Sequence, residues 1–223
     1  MIWINPSYEM KPNDISSQAF NVNVIGSWNQ AIFSPDWVKA NLANDPASEV
    51  LMAVSFPVGL GPVRLSVEGV NIYPSPQLLQ LDGATYTDAS FAACATKFGK
   101  IATLLPHTPV SALGINFRFT GNVDDSANLM ELFTLPDSAS IDAKKYRLID
   151  TTIRRGFTLE DGKTLFTTIT NNNGAVHIEF NFHYEASNIG QMAEYLTAEG
   201  AAALKQQAID FLQGVYDVEL EHA

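Results

Sequence analysis

The sequence predicts an α+β fold: a unit of strand, short helix, several antiparallel strands and long helix that occurs twice. Its strands would join in one curved antiparallel sheet with both long helices on one face. Three observations predict this. Apolar residues alternate with polar ones in many short blocks, which is the signature of half-buried strands. Two longer stretches carry apolar residues at spacings of three and four and read as amphipathic helices. The same order of elements recurs over residues 19–106 and 107–216, a period too long for a solenoid, as a repeat of pattern and not of residues. Residues 1–18 read as a lead-in segment and 217–223 as an acidic tail, with the two halves forming one continuous domain.

In the first half, Phe20, Val22 and Val24 alternate with Asn21 and Asn23. After a bend or bulge at Gly26 the strand pattern resumes from Trp28 to Phe33. Ser34-Pro35-Asp36 then supplies an N-cap, a first-turn proline and an acid, which start a short helix through Trp37, Val38 and Leu42. Val50, Met52, Val54 and Phe56 alternate as a strand, Gly59-Leu60-Gly61-Pro62 reads as a hairpin turn, and Val63 to Val67 returns. Extended pieces follow near Val70–Tyr73 and Gln77–Leu81. Asp88 is placed as the cap of a long helix carrying Phe91, Ala95, Phe98, Ala102 and Leu105, which stops before Pro106.

The second half opens with the alternation Leu113, Ile115, Phe117, Phe119. Asp125-Ser126 caps a short apolar stretch that Pro136 ends. Tyr146 to Phe157 reads as extended, Glu160 to Lys163 as a turn, Thr164 to Thr170 as a β-branched strand and Asn171-Asn172-Asn173-Gly174 as a second turn. Val176, Ile178, Phe180, Phe182 and Tyr184 give the clearest alternation in the chain. A terminal helical stretch starts near Gly190, breaks near Thr197 or Gly200, and continues through Leu204, Ala208, Phe211, Leu212 and Val215.

Composition narrows the functional classes. The chain has 223 residues, 46% hydrophobic against 17% charged, enough apolar material for a packed core. With 13 basic and 24 acidic residues, the net charge of -11 disfavours a broad electrostatic grip on nucleic acid or an anionic membrane. No apolar run reaches the length of a membrane span, and Met1 to Pro6 lacks the regions of a signal peptide. The single cysteine, Cys94, has no partner for an internal disulfide, so a cytoplasmic setting is expected.

Two resemblances add to this reading. The Tyr86-Thr87-Asp88-Ala89-Ser90-Phe91 lead into the first long helix, the Leu113-Gly114-Ile115-Asn116-Phe117 strand and the late strand before the terminal helix resemble a sporadically distributed family of bacterial proteins of this size. That resemblance implies no activity. The element order is similar to the duplicated fold of TATA-box-binding protein, which grips DNA with a basic, apolar sheet surface; the acidity of this chain withholds that function from it.

The candidate site lies on the polar phase of the late strand, His177, Glu179, Asn181 and His183, together with Asn116 and Arg118 on the strand that opens the second half. Asn21 and Asn23 occupy the matching phase of the first half, so pairing of the two opening strands would cluster the four at the sheet centre. Arg118 there either clamps a carboxylate or phosphate or pairs with a nearby acid. His177 and His183, six residues apart on one strand, stand roughly 20 Å apart and cannot share a metal. Six basic residues, Lys144, Lys145, Arg147, Arg154, Arg155 and Lys163, form a local island, with Arg154 and Arg155 on opposite faces of a strand. Cys94, among apolar neighbours, reads as a buried thiol.

No nucleophile, phosphate-loop or paired-cysteine motif is present, and no catalytic residue, metal or cofactor is assigned. The favoured function is a non-catalytic protein-interaction or assembly module, holding a protein partner or self-associating through the open sheet face or the terminal helix. Trp3, Tyr8 and Trp28 are read as exposed residues of such a surface. The alternative is a small-ligand-binding protein or enzyme with a polar pocket on the sheet face lined by Asn116, Arg118, His177 and Glu179.

Overall fold

The computed structural model describes residues 9–12, 20–54, 63–122, 127–160 and 162–220. The chain runs β1 (Glu9–Pro12), β2 (Phe20–Gly26), α1 (Pro35–Leu42), β3 (Leu51–Ala53), β4 (Arg64–Val67), β5 (Val70–Pro74), β6 (Leu78–Gly83) and α2 (Asp88–Leu104). It continues with β7 (Val110–Asn122), α3 (Ala127–Leu132), α4 (Ser138–Ala143), β8 (Asp150–Thr158), β9 (Thr164–Asn172), β10 (Ala175–Glu185), α5 (Ile189–Tyr195), α6 (Ala198–Tyr216) and β11 (Glu219–Leu220). The fold is α+β, built on an antiparallel sheet of strand order β3-β4-β5-β6-β2-β7-β10-β9-β8.

Period-two patterning sorts each strand into a buried and a polar phase. Register makes the phases continuous across the sheet: Phe20 stands opposite Phe117, and Phe117 opposite Phe180. Val22 stands opposite Leu81 on one side and Ile115 on the other. These residues are buried in one core with the apolar faces of α2 and α6. Phe91 of α2 lies 4.5 Å from Phe20 and 5.2 Å from Phe117, ring centre to ring centre, while Phe211 of α6 lies 5.5 Å from Phe180. The two helices are also tied by Lys205, whose Nζ donates to Asp88 at 2.7 Å.

Local chemistry starts and stops the elements. Ser34, Asn188 and Thr197 cap α1, α5 and α6 by accepting a backbone N–H of the first turn, and Thr197 sits at the break between the last two helices. At Gly26 the β2–β7 register shifts. A Cβ there would stand 2.5 Å from the Pro109 carbonyl oxygen, so only glycine fits the bulge. Asn173 and Gly174, at φ 50° and 94°, make the two-residue turn between β9 and β10.

Several expectations are corrected. Trp28 is 5% exposed, not a surface residue: its Nε1 donates to the Val24 carbonyl at 3.1 Å and its ring packs on Phe33. The strand expected over Trp28–Phe33 is a 3-10 turn at Gln30–Ile32, because Asn29 caps the amide of Ala31. Thr87, not Asp88, caps α2; Asp88 is its first residue and supplies the negative charge favoured there. β3 is not half-buried: Leu51, Met52 and Ala53 are exposed, and among the described residues the strand pairs with β4 alone.

Extended structure at β8 begins at Asp150, not Tyr146, and the helix α4 before it was not expected. The lead-in contains β1, which pairs with β7 beyond the end of β2, and the tail contains β11, parallel to β1; neither was expected. Trp3, Tyr8, the Gly59-Gly61 turn and the Asp125-Ser126 cap lie outside the described residues.

Candidate functional site on the polar face of the sheet

Opposite the aromatic rows, the polar phases of the strands meet edge to edge. Asn21, Asn116 and Asn181 stand in one row on β2, β7 and β10. Asn116 Nδ2 donates to Asn21 Oδ1 at 2.7 Å, and Asn181 Nδ2 donates to Asn116 Oδ1. The ladder satisfies Asn116, which is 2% exposed and would otherwise carry the cost of unpaired buried polar atoms. It depends on Gly114: a Cβ there would lie 2.9 Å from Asn181 Nδ2, so the missing side chain lets the amide lie down on the sheet.

The next row pairs Arg118 with Glu179, the guanidinium Nε donating to Oε2 at 2.9 Å. Of the two roles expected for Arg118, a cross-strand ion pair is the one observed. Toward β8, Phe166 continues the asparagine row and Gly156 faces it, leaving room for the ring. The guanidinium of Arg154 sits 4.9 Å over the ring centre, and the His183 ring lies 6.0 Å away on the other strand.

Toward the other edge, Ser66 donates to Asn71 Oδ1 at 2.6 Å and Asn71 Nδ2 to Asp82 Oδ1 at 2.7 Å. Asp82 is fully buried, and burial pushes its carboxyl above the ordinary carboxylate range against the bonds from Asn71, Tyr73 and Gln80. The Tyr73 hydroxyl is likewise pushed up, first by burial and then by Asp82.

The structure therefore brings Asn116, Arg118, Glu179 and Asn181 together at the centre of the sheet, with Asn21 beside them. His183 is set one row off, next to Phe166, while His177 is exposed opposite Thr120 and Thr170. Sequence reasoning missed Asn71, Tyr73, Asp82 and Phe166. Asn71 and Tyr73 in β5, and Gln80 and Asp82 in β6, occupy the phase opposite Ile72 and Leu81, so the alternation that exposed the later strand was present there too. Phe166 carried no such signal, since an apolar residue on a polar phase is visible only from its neighbours.

Cys94 is buried, and burial pushes its thiol up to about 12, far from a nucleophile's range. A hollow of about 500 Å³ lies away from the sheet face, where Ala40 and Asn41 of α1 face Gly99, Lys100, Thr103 and Leu104 of α2. Among the described residues no helix is long and apolar enough to cross a membrane, and no three His, Cys, Asp or Glu side chains cluster as a metal site.

The antiparallel α+β sheet and its hydrogen-bonded polar face define a class of architecture, not an activity. No protein-family model matches the chain, and no curated protein matches it.

Proposed function

We propose that the protein is a non-catalytic interaction or assembly module that holds a protein partner, or a second copy of itself, on the polar face of its sheet. The asparagine ladder carries this reading. It locks the centre of the face by side-chain hydrogen bonds across three strands, so the surface is organised before a partner arrives and loses little conformational freedom on binding. Around that centre stand groups suited to an interface: the half-buried Arg118–Glu179 pair, His183 and Phe166, and the exposed Arg154 stacked on Phe166.

We further infer that the two halves are duplicates related by a pseudo-twofold axis through the β2–β7 pair. Outward from that pair the strands run β2, β6, β5, β4, β3 on one side and β7, β10, β9, β8 on the other. Each half thus has its opening strand at the centre, its closing strand next, and a meander beyond, with one extra strand in the first half. The landing of Phe91 and Phe211 on the row Phe20-Phe117-Phe180 supports placing both long helices on one face, with the part-exposed Arg118, Glu179, Asn181 and His183 on the other as the groups a partner would meet.

A photo-crosslinking residue at position 177 or 183, with Thr103 on α2 as control, tests the reading in the native cell. The expected result is an adduct to a protein, or a crosslinked dimer, from 177 and 183 and not from 103. Absence of any such adduct, together with a metabolite that raises the melting temperature of the parent and not of Asn181→Ala, would replace it with the small-ligand reading.

A further inference from the structure

The sheet has an open, chemically marked edge. Among the described residues β8 pairs with β9 alone. At the two ends of that hairpin Asn173 N–H donates to the Ile149 carbonyl at 3.2 Å and Leu159 N–H to the Lys163 carbonyl at 2.8 Å. Antiparallel bonding alternates, so the odd residues of β8 bond β9. The backbone groups of Asp150, Thr152, Arg154, Gly156 and Thr158 face outward.

Natural edges are often blunted by charge, but this one carries mainly one sign. Within residues 144–160 Lys144, Lys145, Arg147, Arg154 and Arg155 are all exposed, and the acids of that segment are Asp150 at the start of the strand and Glu160 beyond its end. In a chain of net charge -11 that is a concentrated basic strip. It also carries apolar surface: Tyr146 is 72% exposed and Ile149 58%. Beside them a hollow of about 120 Å³ opens, with Phe133, Leu148 and Ile149 as its apolar wall and Asp150, Thr151 and Asn173 among its polar lining.

We propose that the β8 edge docks an extended acidic segment of a partner protein, which adds to the sheet as a further strand. Main-chain hydrogen bonds to the outward groups of Thr152, Arg154 and Gly156 supply the pairing. Acidic side chains on one face of the added strand meet Arg154, apolar ones lie along its other face, and one terminal apolar side chain enters the hollow at Leu148 and Ile149. A second copy fits poorly. Arg154 is the middle residue of β8, so symmetric pairing of two such edges over their whole length sets arginine against arginine.

The probes are a labelled peptide of about nine residues alternating Glu and Val with one terminal Leu, its Lys/Val counterpart, and a single-stranded DNA oligonucleotide. Anisotropy measures binding to the full chain, and hydrogen exchange locates it. The Glu peptide is expected to bind and to slow exchange of the Thr152, Arg154 and Gly156 amides, with Ile153 and Arg155 little changed. Charge reversal in the K145E/R154E variant should weaken it by about tenfold. Thr152→Pro, which removes an outward N–H and no backbone bond to β9, should abolish the added protection, whereas Thr152→Val, which loses only the hydroxyl contact with Thr170, should keep it. The proposal is overturned if the Glu peptide does not bind, if the Lys peptide binds equally, or if binding leaves those amides unprotected. It is also overturned if the oligonucleotide protects them more strongly than the peptide, or if they become protected in the protein alone as its concentration rises.

Discussion

Glu68 shows how a single side chain can hold three segments. It sits at φ 48° in the tight turn between β4 and β5, a conformation unusual for glutamate. Its carboxylate accepts from the backbone amides of Asn44 and Asp45, from Asn44 Nδ2, from Ser48 Oγ and from Lys97 Nζ at 2.7–3.0 Å. Lys97, 1% exposed, also donates to the Leu42 carbonyl at the end of α1. The Lys97 ammonium, followed by the Asp45 amide, holds the Glu68 carboxyl at about 2, below its ordinary 4.5. A depressed acid stabilises the fold fully above its unfolded value, and this contribution disappears as pH falls from about 4.5 through about 2. Glu68→Gln should therefore cost about 3 kcal/mol at neutral pH, since it leaves a buried ammonium without its counter-charge. In urea titrations from pH 7 to pH 2 the parent and the variant should converge at the acid end. A constant gap would mean that the carboxylate's charge is not what matters.

At the scale of the element, β10 separates core from surface within one strand. Ile178, Phe180 and Phe182 are buried among the rings of β7 and α6, whereas His177 is exposed and Glu179 is 40% exposed at its side chain. Phe180→Ala is expected to cost about 3–5 kcal/mol, the penalty of a large cavity among aromatic neighbours. His177→Ala should change stability by less than about 0.5 kcal/mol, and Glu179→Ala by no more than about 1 kcal/mol through loss of a partly exposed ion pair. Chemical denaturation of the three variants checks this order, and a large loss in His177→Ala would mean that the polar face is covered.

Across the whole molecule, charge and sheet chemistry argue in the same direction. The resemblance to TATA-box-binding protein expected from the sequence raises the question of DNA, yet the face opposite the core is a hydrogen-bonded asparagine ladder flanked by an ion pair, in a chain of net charge -11. Mobility-shift assays at about 150 mM salt should show no complex with random duplex below micromolar protein, because few phosphate contacts survive that screening. Submicromolar binding would show that local basic groups outweigh the net charge.

The sequence by itself determined the class of fold and the phase of most strands, because burial of alternate residues is written directly into the order of apolar and polar side chains. It also determined the helix start at Ser34 and a break near Thr197 or Gly200, which the structure puts at Thr197, where a hydroxyl competes locally for the first-turn amides. What only the tertiary structure decided was which polar phases meet. Asn21 and Asn116 are 95 residues apart, and nothing local makes one the acceptor of the other; the pairing of β2 with β7 does. The same holds for Trp28, whose backbone N–H finds the distant Pro76 carbonyl at 2.9 Å, and for β3, which among the described residues stands at an edge. Local propensity selects elements, but strand order, register and edge position are long-range choices made by the burial of the whole sheet, and the polar face is assembled only when those choices have been made.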